Sequence, residues 1–72
     1  MDLSASEKIR ILLKRRGLTI GELAEKIGQS RQNLSNKMNR DNFTENELRS
    51  IAAALGCSYS AAFVMNDTGE TL

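Results

Sequence analysis

The sequence predicts a small, mainly α-helical domain in which four short helices pack as one compact unit, followed by a short C-terminal β-strand or hairpin. Three observations carry this prediction. Nine Leu and seven Ala stand against five Ile, one Val and no Pro, a balance that favours helix over strand. Three Ser/Thr-x-x-Glu boxes (Ser4/Glu7, Thr19/Glu22 and Thr44/Glu47) and a further cap at Ser30 each precede apolar residues at helical spacing. Gly17, Gly28 and Gly56 then mark where three of those stretches stop. At 72 residues and 8.0 kDa the chain is one domain's worth of polypeptide.

The first helix starts at the Ser4/Glu7 box, where the serine accepts from an orphan amide and the glutamate reaches back to the cap. Its apolar stripe is Ile9, Leu12 and Leu13, and Lys14, Arg15 and Arg16 suit the negative end of its dipole better than they suit a ligand role. A second helix of about eight residues runs from the Thr19/Glu22 box to Gly28, with Leu23, Ala24 and Ile27 as its apolar face. Ser30 caps a third through Asn36 or Met38, and Leu34 and Met38 lie one turn apart on its buried side. The fourth begins at Thr44, carries Leu48, Ile51, Ala52 and Leu55, and closes at Gly56, with Phe43 placed to staple its start.

Residues 1–58 thus form the helical domain, and residues 59–72 form a tail of different rhythm. In the tail Tyr59, Ala61, Phe63 and Met65 alternate with Ser60, Ala62 and Val64 ahead of the turn signal Asn66-Asp67-Thr68-Gly69. This reads as a strand over residues 59–65 leading into a hairpin. The competing reading is a fifth short helix capped by Ser58, with Tyr59, Ala62 and Phe63 facing the core. A strand appended to a helical domain needs a partner for its edge, so the tail is a candidate dimerisation element.

Composition narrows function. With no His and one Cys there is no histidine acid/base pair, no Cys/His zinc site and no internal disulfide, so neither an enzyme nor a metal or other cofactor is expected. Cys57 reads as a small core or C-cap residue, and Glu45 and Glu47 as first-turn and cap residues rather than a catalytic pair. No apolar run exceeds five residues, so no membrane span or signal segment is expected, and the unpaired Cys57 suits a reducing, cytoplasmic setting. No small-molecule ligand is expected either.

Two short helices joined by a turn at Gly28, the second polar outside, are what a helix-turn-helix over about residues 19–38 requires. The segment from Leu18 to Ser35, LTIGELAEKIGQSRQNLS, resembles the phage repressor and Cro-like (XRE-type) helix-turn-helix family. Leu23-Ala24, Ile27-Gly28, Ser30 and Leu34 occupy that family's packing and turn positions. Leu48-Arg49-Ser50-Ile51-Ala52-Ala53-Ala54-Leu55-Gly56 resembles its Leu-x-x-Ile-Ala-x-x-Leu-Gly element, so the likeness covers about residues 8–58. Ala24 lets the helices approach, and Gly28 supplies the left-handed backbone of the turn.

The third helix carries the side-chain types that read base edges: Arg for guanine, Gln and Asn for adenine. Arg31, Gln32, Asn33 and Asn36 are of these types. The resemblance implies that Arg31 and Gln32, the first residues after the cap, lead the reading and that Asn36 follows one turn on. It also places Ser30, Lys37, Asn39 and Arg40 on phosphates, together with Thr19 and the amide end of the second helix. The competing reading of the same face is a merely solvated one. Three positions depart from the family pattern. Ile20 replaces a glutamine that clamps the backbone, Gln29 stands where an apolar residue is common, and so does Lys37, Met38 taking over as the anchor.

The net charge of +1 conceals a division along the chain. Residues 8–40 hold nine Lys and Arg against Glu22 and Glu25, a net of +7, whereas residues 41–72 hold Arg49 against five acids, a net of −4. A basic half suited to phosphate thus faces an acidic half suited to facing away from it. The resulting expectation is a sequence-specific regulator that binds double-stranded DNA, a repressor of bacterial or phage type, with a self-repressing antitoxin as a variant. It would act as a homodimer on a palindromic operator. The alternative is a protein-interaction module that keeps the fold without specific DNA binding.

Overall fold

The computed structural model describes residues 3–72. Met1 and Asp2, the start of the predicted domain and one of its acidic residues, lie outside the described residues. Four helices follow in order: α1 (Ala5–Arg16), α2 (Ile20–Lys26), α3 (Arg31–Arg40) and α4 (Glu45–Ala54). All three predicted boxes close in both directions. Ser4 Oγ accepts from the Glu7 amide at 3.1 Å, Thr19 Oγ1 from Glu22 at 3.1 Å and Thr44 Oγ1 from Glu47 at 3.1 Å, while each glutamate accepts from its cap amide in return. Ser30 caps α3 by accepting from the Asn33 amide at 3.1 Å.

The helix ends follow the glycines in three cases, with Gly56 (φ 70°) closing α4, and a side chain in the fourth. Gly17 stops α1 at φ 67°, and at Gly28 (φ 73°) the chain turns from α2 so that the Gln29 amide donates to Ala24 O at 2.9 Å. Helix α3 runs to Arg40, beyond the stop expected at Asn36 or Met38. It ends at Asp41, which takes the left-handed conformation (φ 52°) with no glycine present. Asp tolerates that region better than most residues, and tertiary contacts hold it there. Its Oδ1 accepts from the Ser6 amide at 2.8 Å and lies 2.8 Å from Ser6 Oγ, which also donates to Met38 O at 2.7 Å. The carboxylate therefore sits on the first turn of α1, where the helix dipole favours an anion.

The core draws on all four helices: Ile9 and Leu13 from α1, Leu23 and Ala24 from α2, Leu34 and Met38 from α3, and Ile51 with the C-cap Leu55 from α4. Leu23 and Leu34 are fully buried and form its centre. Leu12, Leu18, Ile20, Ile27, Phe43 and Leu48 close its margin. Arg16 crosses to the end of α4, its Nε donating to Leu55 O at 2.9 Å, so the basic end of one helix satisfies an orphan carbonyl of another.

The tail forms a hairpin and not a fifth helix. Val64 and Thr71 make an antiparallel bridge, Phe63 and Leu72 exchange two backbone hydrogen bonds of 2.8 Å, and the Gly69 amide donates to Met65 O at 2.8 Å across the turn. Pairing covers residues 63–65 and 70–72, so the strand is shorter than the predicted 59–65. In this register Phe63 pairs with Leu72, and residues 59–62 have no ladder partner among the described residues. Every residue from Ser58 onward is exposed, and the radius of gyration of 13.7 Å exceeds the roughly 11 Å expected for this length. The hairpin projects from the helical body. Among the described residues no helix is long and apolar enough to cross a membrane.

Candidate nucleic-acid interface

Helix α3 has two faces, and its anchors decide which is which. Leu34 and Met38 are buried, and at ~100° per residue the direction opposite them is centred on Asn36 and flanked by Gln32, Asn33, Asn39 and Arg40. All five are exposed. The use of Met38 as anchor thus turns Asn36 and Arg40 outward together and leaves Lys37 on the rim.

The two rim residues have different surroundings. Arg31, the first residue of α3, lies on the α2 side, where its stem passes over Gly21, yet it remains exposed. Lys37 lies on the α4 side, and its Nζ is ion-paired with Glu47 Oε2. Glu47 thereby serves twice, one oxygen closing the α4 capping box and the other holding Lys37. The expectation that Lys37 addresses phosphate therefore meets a competing intramolecular partner. No local spacing signalled it, because the two residues are ten apart on different helices.

The remaining candidates sit around α3. Thr19 and Ser30 are exposed N-caps whose oxygens already accept from backbone amides, which leaves their hydroxyl protons to donate outward. Among the described residues only two ion pairs form, Lys37 with Glu47 and Arg49 with Glu45 at 2.8 Å. Arg31 and Arg40 thus carry charges with no acidic partner among the described residues, beside a helix face made of amide side chains. Such a surface can accept phosphate and can donate and accept in pairs to base edges.

A four-helix core with α2 and α3 joined by a glycine turn, and α3 polar on its outer face, defines a helix-turn-helix module. Residues 8–67 match the family model of the Cro/C1-type HTH DNA-binding domain, and the chain belongs to that family. No curated protein and no solved structure matches it. The match runs past the helical domain into the first arm of the hairpin.

Proposed function

We propose that the chain is a sequence-specific regulator that binds double-stranded DNA and represses transcription, with α3 in the major groove. The observation that carries this reading is the outward face of α3, on which Gln32, Asn33 and Asn36 stand exposed between Arg31 at the start of the helix and Arg40 at its end. In this reading Arg31, Gln32, Asn33 and Asn36 address base edges. Thr19, Ser30, Asn39 and Arg40 hold phosphates, and Lys37 orients α3 against α4 through Glu47.

The hairpin supports a homodimer. Phe63 is 83% exposed and Leu72 74% exposed, and these cross-strand neighbours face a cleft lined by Phe43, Leu48 and Tyr59 that the hairpin leaves open. An apolar hairpin face projecting from a small domain is covered most simply by the same face of a second copy, since a two-fold interface uses one patch twice. Two recognition helices would then read half-sites about 34 Å apart.

Selection of bound duplexes from a random pool tests the proposal. Enrichment of a palindrome with half-sites one helical turn apart is the expected result. Binding that never enriches a sequence overturns it.

A further inference from the structure

Gly21 is the second residue of α2, and nothing in its backbone asks for glycine. Its φ is not among the positive values in the chain, so any L-residue could occupy the site, and glycine weakens a helix of seven residues. What it provides is space. A Cβ at this position would lie 3.4 Å from Arg31 Cδ, 3.9 Å from Arg31 Cγ and 3.8 Å from Thr19 Oγ1. The aliphatic stem of Arg31 thus rests on the bare backbone of α2.

We infer that Gly21 is a specificity-positioning residue: the space it leaves open is the bed of the Arg31 stem and fixes where Arg31 presents its guanidinium to DNA. The inference rests on the reading of α3 as the recognition helix. An arginine stem has several rotatable bonds, and a bidentate contact to guanine requires its planar fork in one place. Packing the stem against α2 limits that freedom before DNA arrives. A single methyl group at position 21 would only touch the stem. A longer side chain would occupy its bed and displace the Arg31 stem, while α2 would gain helix propensity, so the fold is retained.

The test uses the full chain and a duplex recovered by selection from a random pool, with all four bases compared at each position. Arg31→Ala identifies the base that Arg31 reads. Gly21→Gln and Gly21→Leu, each shown to be folded by circular dichroism, should lower discrimination at that same base by about tenfold, within the range of one bidentate contact. Neither should lower it further in the Arg31→Ala background. Unchanged discrimination in both Gly21 variants overturns the inference, as does an equal loss with and without Arg31. If Arg31→Ala alone leaves base preference untouched, the assignment of Arg31 as a reader fails, and this inference falls with it. That outcome is visible in the single variant and is thereby distinct from failure of the Gly21 role alone.

Discussion

Gln29 stands in the turn between α2 and α3 with its Oε1 buried and without a hydrogen-bond partner among the described residues. A buried acceptor left unpaired costs about 1–3 kcal/mol, whereas an apolar side chain of similar size has nothing to lose there. Gln29→Leu is therefore expected to raise stability by about 1 kcal/mol, a rise of several degrees in Tm for a domain of this size. A lower melting temperature would count against the unpaired acceptor as a defect. Asp41 is the opposite case, since one carboxylate holds a left-handed helix end and the first turn of α1. Asp41→Ala should cost about 2 kcal/mol through the freed Ser6 amide and the strained backbone. Asp41→Asn, which keeps an oxygen and tolerates the conformation, should cost less. Equal losses in a denaturant series would show that the carbonyl-type oxygen plays no part.

At the scale of elements, the capping boxes set where helices begin, and Glu47 shows how one of them is tied to its neighbour. Thr44→Ala removes the acceptor for the Glu47 amide and should destabilise by about 1 kcal/mol. Lys37→Met breaks only the ion pair to Glu47, which is partly exposed to water, and should cost less than about 1 kcal/mol. If Lys37 orients α3 and holds no phosphate, Lys37→Met leaves the salt dependence of DNA binding unchanged. Arg40→Ala should reduce the slope of log K against log salt by about one. A slope reduced equally by both variants would return Lys37 to the phosphate set. The extension of α3 to Arg40 matters here, because it carries Arg40 onto the same exposed face as Asn36.

For the whole molecule, the helical body and the hairpin are expected to respond separately. The body depends on a small core with Leu23 and Leu34 at its centre, so Leu34→Ala should cost about 2–5 kcal/mol. That is a large share of the roughly 4–11 kcal/mol available to a chain of this length, and the melting temperature should fall by about ten degrees or more. Phe63 is 83% exposed, so Phe63→Asp should leave the fold of the body intact. In the dimer reading it should convert the protein to a monomer by light scattering and weaken binding to a two-half-site duplex more than to a single half-site. A parent protein that is monomeric at all concentrations would sink that reading.

The sequence by itself determined the four helices, their caps, most of the core and the polar face of α3, because caps, glycine stops and helical periodicity are local signals. Even the split of charge between residues 8–40 and 41–72 is a matter of counting. Only the tertiary structure decided which side chains on and around that face are held. Lys37 meets Glu47, Arg31 meets the open backbone at Gly21, Asp41 meets Ser6, and Arg16 meets Leu55 across separations of ten to thirty-nine residues. Such partners are set by how helices pack. A one-residue change of anchor, from position 37 to Met38, moves that anchor by about 100° round the helix and, with Leu34 kept, turns the buried face by about half as much, which determines which residues face outward.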